Sequence, residues 1–316
     1  MHAIDEIDLV LLDMDGVVWR SHNLLPRARE TIEALRSKGI RVGFVTNSSK
    51  KSRISAAQQL TKLGIPTDKS DCFTSAWSAA QLLRRRGFHP DGSRPEEQVL
   101  VIGSSAMEEE LTEAKVPFTH IDVLLKEAAA HESATGDDDD DLLRKSNATV
   151  HLTRNQLAHV DLLDRCGGVL MGYDNEFTYS KLALMVLHLH LPRVDFFATN
   201  LDSTFPVNNG RLLAGTGAMF AAAAVASDKR PINSGKPEKD FAVSVLEHFG
   251  VLASRTLMVG DRLDTDVLFG KHSGMRTALV LTGVCNQEDA DNAGEASKPD
   301  FVLNGLADLE PLALSL

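Results

Sequence analysis

The chain has 316 residues, of which 43% are hydrophobic, and this length is enough for two globular modules with apolar cores. Its 33 Lys and Arg residues against 44 Asp and Glu residues give a formal net charge of -11. This acidic balance argues against nucleic acid or an anionic membrane surface as a partner.

The first predicted element is a strand at the apolar run Leu9 to Leu12, which is typical of a strand buried on both faces. It leads directly into Asp13, and Asp15 and Gly16 follow. Taken alone, Asp-x-Asp-Gly is equally consistent with a turn, because Asp and Gly are residues that turns prefer.

A helix is predicted next, with Pro26 in its first turn and Gly39 just beyond its end. Ala28, Ile32 and Leu35 fall on one face of this helix. This stripe indicates packing against a core and implies no chemistry.

The second predicted strand, Val42 to Val45, runs into Thr46, Asn47 and Ser48. A helix is predicted to start near Ser52. The polar stretch between strand and helix is equally typical of a capped loop.

Residues 84–97 are rich in Arg, Gly and Pro and therefore indicate a loop or linker before the apolar run Val99 to Ile102. A second module is expected to begin there. The predicted division is a discontinuous core of residues 1–90 and 207–316 with an inserted module of residues 91–206.

The inserted module contains a run of five Asp residues, Asp137 to Asp141. Consecutive like charges repel, so the run is predicted to be a solvated loop and not a metal site. His188 and His190 lie in a helical apolar stretch and are predicted to be packed or surface residues and not ligands.

Lys236 stands before a helix that is predicted to begin at Pro237. A third strand in this core, Leu257 to Val259, leads into Asp261, and further Asp residues follow. Gly-Lys-Pro alone is a surface turn in most proteins. The Asp-rich stretch alone is also consistent with a calcium-like loop, although the Gly and Glu positions of an EF-hand are absent.

Three of these polar clusters follow strand-like runs that are separated by helices, which is the pattern of a parallel sheet. The carboxyl ends of such strands share one crevice, where ligands bind. We therefore expect Asp13, Thr46 and Asp261 to lie close together. The fixed order of all four stretches carries more weight than any one of them.

With Gly172-Tyr173-Asp174 and Thr199-Asn200-Leu201-Asp202, these stretches resemble the haloacid dehalogenase superfamily over nearly the whole chain. The resemblance is closest to its branch of 4-nitrophenyl phosphatases, phosphoglycolate phosphatases and pyridoxal phosphate phosphatases. It implies an α/β fold, with a Rossmann-like core around a parallel sheet and an inserted mixed α/β cap domain that roofs the active site.

A phosphate monoester that approaches Asp13 meets a like charge, so the site requires a cation. Mg²⁺ suits hard oxygen ligands and takes only one or two carboxylates, with water and substrate phosphate completing its octahedron. The resemblance implies that Asp13, the main-chain carbonyl of Asp15 and Asp261 hold this metal.

The resemblance also implies a phosphate cradle that combines positive charge with hydrogen-bond donors. Its members are Lys236, Thr46, Asn47 and, as the weaker candidate, Ser48. Asp264 and Asp266 are expected to orient Lys236 or metal-bound water without binding the metal directly.

Two carboxylates one residue apart can divide the chemistry. Asp13 would attack phosphorus and form an aspartyl-phosphate, while Asp15 would protonate the leaving group and later take a proton from water. The resemblance implies that dehalogenases lack the second Asp and that ion-pumping ATPases carry Thr there. Asp15 therefore favours phosphatase chemistry.

Asp202, Phe205 and Pro206 resemble the specificity loop of the family, whose pyridoxal-phosphate-directed members carry His where Phe205 stands. The likeness of residues 210–217 to eukaryotic phosphoglycolate phosphatases favours 2-phosphoglycolate and related small phosphomonoesters, including 4-nitrophenyl phosphate. Pyridoxal phosphate phosphatase is the first alternative. A phosphotransferase, a protein phosphatase and a non-enzymatic phosphate-binding scaffold are the others.

The resemblance further suggests a homodimer that forms through the cap domains. No segment approaches the length of a membrane span and the N-terminus lacks a secretory or transit pattern, so the cytoplasm is the expected location. The three cysteines are odd in number and widely spread, which fits reduced thiols.

Overall fold

A computed structural model of the chain describes residues 7–20, 23–130, 150–206 and 211–310. These residues form two compact units. The first unit comprises residues 7–20, 23–78 and 234–310, and the second comprises 79–130, 150–206 and 211–233.

The regular elements alternate between strands and helices along much of the chain, as expected for an α/β protein. The helices are α1 Ala28–Ser37, α2 Arg53–Lys62, α3 Ser75–Arg85, α4 Ser105–Glu113, α5 Ile121–Ala130, α6 Arg154–His159, α7 Tyr179–Leu189, α8 Thr216–Ser227, α9 Lys239–Phe249, α10 Leu268–Ser273 and α11 Gln287–Asp291.

The strands are short, between two and six residues. They are β1 Leu9–Leu12, β2 Trp19–Arg20, β3 Asn23–Leu24, β4 Arg41–Thr46, β5 Cys72–Thr74, β6 Gln98–Ile102, β7 Phe118–His120, β8 Cys166–Met171, β9 Asp195–Ala198, β10 Thr204–Pro206, β11 Leu212–Ala214, β12 Ile232–Asn233, β13 Thr256–Gly260, β14 Arg276–Val280 and β15 Phe301–Leu303.

The sheet of the first unit has the strand order β15-β14-β13-β1-β4-β5, and every neighbouring pair is parallel. Successive side chains of a strand point to opposite faces. Val10 and Leu12 therefore join one apolar cluster, whereas Leu9 and Leu11 join another cluster with Phe241 of α9. Both faces of this sheet are buried, which explains the continuous apolar run that predicted β1.

The sheet of the second unit is also parallel, in the order β12-β9-β8-β6-β7. Its core joins Leu100 and Met171 from the strands to Leu184 of α7 and Phe220 of α8. An antiparallel pair, β10 with β11, belongs to the same unit. The predicted α/β fold with a parallel core sheet is confirmed.

The helices whose ends were predicted from capping residues form close to the predicted positions. Ser52 caps α2 through its side chain, which accepts a hydrogen bond from the backbone N–H of Ser55, and Gly39 adopts φ 79° just after α1. Pro26 was placed in the first turn of α1, but it lies in the turn before that helix, whose N-cap is Arg27.

The two units divide the chain at positions that differ from the expected ones, after residues 78 and 233 instead of 90 and 206. The second boundary lies after residue 233 because of strand pairing and helix packing. β12 adds a parallel strand beside β9, and Phe220 and Ala223 of α8 pack into the core of the second unit. Composition alone carries no signal for either contact.

The run Asp137 to Asp141 lies outside the described residues. Within the described part of the chain, no helix is long and apolar enough to cross a membrane.

His188 is fully buried on α7 and is a structural residue, in agreement with its predicted packing role. Its Nε2 accepts a hydrogen bond from the backbone N–H of Leu163 at 2.9 Å, so the proton of the neutral ring is on Nδ1. Nδ1 donates this proton to the carbonyl of Leu184 at 2.7 Å. Burial lowers the pKa of His188, which favours the neutral form of the ring in the folded state.

We expect the second unit to lose stability as the pH falls below about 6.5, the ordinary pKa of histidine. Below that pH the unfolded chain protonates this ring, whereas the folded chain resists protonation. Denaturant unfolding at about pH 7.5 and 5.5 should show a smaller pH effect for His188→Gln than for the native chain. His190→Gln is the control because His190 is exposed. If His188→Gln loses as much stability between the two pH values as the native chain does, the prediction is wrong.

Candidate active site

Three polar strand ends meet at one edge of the sheet in the first unit. β13, β1 and β4 are consecutive parallel strands, and Leu12 is in register with both Val259 and Phe44. Asp13, Thr46 and Asp261 follow at the carboxyl ends of these strands. Topology therefore brings together residues that are about 250 positions apart in sequence, as predicted for this sheet.

Lys236 is the centre of this cluster and is only 3% exposed. Its ammonium Nζ donates hydrogen bonds to Asp13 Oδ1, to Asp266 Oδ1 at 2.6 Å and to the carbonyl of Val45 at 3.2 Å. Both carboxylates are also buried. The three donor positions of the ammonium are therefore directed to three acceptors from different parts of the sheet edge.

Asn47 holds the backbone of Lys236 in place. The side-chain Oδ1 of Asn47 accepts a hydrogen bond from the Lys236 N–H at 2.7 Å, and its Nδ2 donates to the Lys236 carbonyl at 3.2 Å. Ser75 Oγ in turn donates to the carbonyl of Asn47 at 2.8 Å. Asn47, which was predicted to contact phosphate directly, thus positions the backbone of Lys236.

Thr46 and Ser48 lie on the short segment that leaves β4. The Thr46 side chain is buried, and its Oγ1 accepts a hydrogen bond from the Ser48 N–H at 3.1 Å. Ser48 Oγ accepts one from the Lys50 N–H at 3.4 Å. This segment is therefore folded locally beside the Lys236 cluster, and its role in holding phosphate stays a prediction.

Asp261 is fixed by backbone amides. Its Oδ2 accepts a hydrogen bond from the Val284 N–H at 2.8 Å. Asp266 Oδ2 accepts from the N–H groups of Asp261 and Arg262 at 3.2 and 3.1 Å. Asp266 therefore links the Asp261 loop to Lys236.

Two glycines leave room for the Asp261 carboxylate. A Cβ on Gly283 would lie 1.9 Å from Asp261 Oδ2, and a Cβ on Gly16 would lie 2.5 Å from the same oxygen. Gly16 also has φ +87°, a conformation that residues with a side chain rarely adopt. Any larger residue at either position would displace the carboxylate.

Burial and mutual repulsion shift the protonation equilibria of the cluster. Burial, with the charge of Asp266 adding to it, raises the pKa of Asp261 to about 7. Burial also raises the pKa of Asp13, although the Lys236 charge opposes this shift. Burial would lower the pKa of Lys236, but Asp13 and Asp266 outweigh it and the pKa is raised. The cluster has too little positive charge for its carboxylates.

The donor set fits a hard divalent cation. Three buried carboxylates, those of Asp13, Asp261 and Asp266, face one buried ammonium, so one doubly charged ion would balance the charge. No group of three His, Cys, Asp or Glu side chains among the described residues is arranged to hold a metal by itself.

Asp264 does not contact Lys236. Its side chain is 65% exposed and pairs with Arg262 through hydrogen bonds of 3.0 and 2.7 Å. The structure thus separates the two acidic residues that were grouped together. Asp266 faces the cluster, and Asp264 pairs with an arginine.

Asp15 lies beside the buried cluster, and the residue as a whole is exposed although its carboxylate is partly surrounded by protein. Burial of the Asp15 carboxyl group by the surrounding protein raises its pKa. The hydrogen bond from the Trp19 N–H and the charge of Lys51 act in the opposite direction. Trp19 Nε1 donates a hydrogen bond to Asp15 Oδ1 at 2.8 Å. The buried Trp19 therefore has a polar partner in the Asp15 carboxylate.

The residues predicted for substrate specificity belong to the second unit. Asp202 Oδ2 accepts a hydrogen bond from Asn200 Nδ2 at 2.6 Å. Phe205 on β10 packs edge-on against Tyr173, with ring centroids 5.4 Å apart. Pro206 ends β10. These contacts fix Asp202 and Phe205 within the second unit, and their proposed role in substrate choice stays a prediction.

The loop of residues 282–284 was missed by sequence reasoning. Gly283 and Val284 shape the environment of Asp261, and Thr282 Oγ1 donates a hydrogen bond to the carbonyl of Gly16 at 2.6 Å. The available signal was the polar Thr-Gly pair after the apolar run Ala278 to Leu281. This is a fourth strand end of the kind that predicted the other three.

Comparison with known proteins assigns the chain to a family. Residues 10–117 match the model of the haloacid dehalogenase-like hydrolases, and residues 233–309 match a second model, described as HAD-hydrolase-like. Glycerol-3-phosphate phosphatase of Rattus norvegicus is 34% identical over 97% of this chain and 91% of its own length. The chain belongs to the haloacid dehalogenase-like hydrolases.

Other relatives narrow this class to phosphatases. Phosphoglycolate phosphatase 2 of Arabidopsis thaliana is 33% identical over 96% of this chain and 93% of its own. A crystal structure of glycerol phosphate phosphatase from Mycobacterium tuberculosis, in complex with magnesium, has a TM-score of 0.75 at 27% identity and covers 98% of this chain and 78% of that one. The predicted family and the prediction of a phosphatase are confirmed.

Gly283→Ala is expected to lower the rate of phosphate release about tenfold or more, because the new methyl group displaces Asp261. The control is Gly294→Ala, where a Cβ meets no atom within 4 Å. Steady-state assays of both variants on one phosphomonoester test this expectation. Equal rates for the two variants would show that the position of Asp261 is unimportant.

Proposed function

We propose that this phosphatase is a magnesium-dependent phosphomonoester hydrolase that works through an aspartyl-phosphate at Asp13. The observation that carries the proposal is the buried Lys236, whose ammonium contacts both Asp13 and Asp266. Such a cation neutralises part of the charge of a phosphoryl group that reaches Asp13. It also keeps Asp13 oriented toward the sheet edge.

The proposed reaction has two transfers. Asp13 attacks phosphorus while the bond to the ester oxygen breaks, and Asp15 gives that oxygen a proton so that it leaves as an alcohol. Water then attacks phosphorus and loses a proton to Asp15, and the bond to Asp13 breaks. Both carboxylates return to their starting states, so the cycle is balanced.

Asp13, the main-chain carbonyl of Asp15 and Asp261 would hold Mg²⁺. When bound, the metal would neutralise negative charge on the phosphoryl oxygens. The excess of buried carboxylates over ammonium groups supports this assignment, as does the magnesium complex of the mycobacterial relative. Lys236 would provide the remaining positive charge, and the Thr46 hydroxyl and amides near Asn47 would donate hydrogen bonds.

For the substrate we propose 2-phosphoglycolate and related small phosphomonoesters, supported by the similarity to phosphoglycolate phosphatase 2 of Arabidopsis thaliana. Glycerol 3-phosphate is a second candidate, which the sequence alone had not raised and which the similarity to the Rattus norvegicus enzyme favours. Pyridoxal phosphate is a weaker candidate because Phe205 stands where His is expected in enzymes directed to it.

Asp13→Asn is expected to abolish turnover, because the amide cannot act as the nucleophile. Chelation of Mg²⁺ should also stop phosphate release, and added Mg²⁺ should restore it. Phosphate release from 4-nitrophenyl phosphate measures both effects, with Asp291→Asn on the exposed α11 as the control for loss of a carboxylate. Turnover by Asp13→Asn would remove Asp13 from the mechanism, and activity after thorough chelation would remove the metal.

A panel of phosphomonoesters should show the highest kcat/KM for 2-phosphoglycolate or glycerol 3-phosphate. Both have a small leaving group, whereas pyridoxal phosphate is aromatic and larger. Product analysis with added alcohol acceptors would separate hydrolysis from phosphotransfer. The substrate proposal fails if pyridoxal phosphate or a phosphorylated protein exceeds both small esters by about tenfold or more.

A further inference from the structure

Asp15 is the exposed member of the catalytic pair, and a single side chain holds it. Within the described residues its carboxylate receives one side-chain hydrogen bond, from Trp19 Nε1 at 2.8 Å. Asp13, in contrast, is buried and held by Lys236. A proton donor must be oriented toward the leaving oxygen, so the contact that orients Asp15 is important for the reaction.

Trp19 is well suited to hold a neighbour because it is itself fixed. Its side chain is 2% exposed and belongs to the apolar core of the first unit. Its backbone N–H donates to the carbonyl of Met14 at 3.1 Å, and its carbonyl accepts from the Gly16 N–H at 2.8 Å. These bonds close a tight loop from residue 14 to residue 19, and the indole N–H points back to Asp15.

A second contact covers the indole ring. The ammonium of Lys51 lies 5.5 Å from the centroid of the Trp19 ring, and it also donates a hydrogen bond to Gln59 Oε1. A cation over the face of an indole is attracted by the π electrons. Lys51 therefore contacts the face of the ring, Asp15 contacts its edge, and the backbone of Trp19 is fixed by its own hydrogen bonds. Together these contacts define the direction in which the indole N–H donates.

We propose that Trp19 is a positioning residue that selects which oxygen of Asp15 transfers the proton. An indole N–H can only donate, so Oδ1 of Asp15 remains an acceptor throughout the cycle. The exchangeable proton is then on Oδ2. This inference rests on the proposed function, because it assumes that Asp15 protonates the leaving group.

The proposed step involves one proton and one bond. The proton on Asp15 Oδ2 passes to the ester oxygen as the bond between that oxygen and phosphorus breaks, and the bonding electrons stay with the oxygen. Phosphorus becomes bonded to Asp13. Trp19 exchanges no proton, and its hydrogen bond to Oδ1 is present before and after the transfer.

Leaving-group dependence separates this role from a purely structural one. An alkoxide is a poor leaving group and requires the proton, whereas 4-nitrophenolate leaves readily without it. The ratio kcat/KM is the suitable measurement because it reports the steps through the first irreversible transfer and excludes later hydrolysis of the aspartyl-phosphate. Glycerol 3-phosphate or 2-phosphoglycolate, whichever is the better substrate, represents the alkyl esters.

Trp19→Phe keeps an aromatic ring in the core and removes the N–H. We expect kcat/KM for the alkyl ester to fall roughly 10- to 100-fold, and kcat/KM for 4-nitrophenyl phosphate to fall by less than about threefold. The chain has two tryptophans, and the matched control is Trp77→Phe, since Trp77 is also buried in the first unit. Trp77→Phe should leave the ratio of the two substrates unchanged.

A double-mutant cycle with Asp15→Asn tests the assigned partner. In that background Trp19→Phe should cause no further change in the ratio of the two substrates, because the proton donor is already absent. If Trp19→Phe does not fold, as judged by thermal unfolding, Trp19→His supplies a ring N–H and should keep part of the preference for the alkyl ester.

The inference is wrong if Trp19→Phe leaves the ratio of kcat/KM for the two substrates unchanged, whether or not both values fall. It is also wrong if Trp19→Phe changes this ratio further in the Asp15→Asn background. These outcomes differ from failure of the proposed function. That failure would appear first as turnover by Asp13→Asn, or as an unchanged substrate ratio for Asp15→Asn alone.

Discussion

The structure of the first unit depends on one electrostatic constraint, which is that three carboxylates are buried around a single ammonium group. Removing a charge from water costs several kcal/mol unless partners replace the water. Lys236 offsets part of this cost for Asp13 and Asp266, and backbone amides offset part of it for Asp261. The remaining excess of negative charge supports the proposed cation, which would in turn allow a phosphate group to approach Asp13.

The parallel sheet makes it possible to concentrate these charges in one place. Its apolar strands bury both faces, so the polar groups collect at the strand ends, where backbone N–H groups and loops are available to them. Gly16 and Gly283 then allow the loops to approach Asp261 closely. The same sheet therefore supplies both the stability of the unit and the geometry of its site.

Much of the site could be predicted because it follows from topology. Asp13, Thr46 and Asp261 each end an apolar run, and parallel strands must bring such ends together. Asp264 was harder to place, since residues two apart on a helical turn point in nearly opposite directions, and the pattern does not say which one faces Lys236. The Asn47 contact with Lys236 and the Gly283 contact with Asp261 join distant loops, and periodicity carries no information about them. The limits of the second unit depended on strand pairing in the same way.

Chemical trapping of the intermediate tests the central claim most directly. Borohydride converts an aspartyl-phosphate to homoserine, and peptide mass spectrometry identifies the position. During turnover of a small phosphomonoester with Mg²⁺ present, we expect homoserine at residue 13 and nowhere else. Homoserine at another aspartate, or its absence from enzyme that is turning over and shown to trap an acyl phosphate standard, would contradict a covalent role for Asp13.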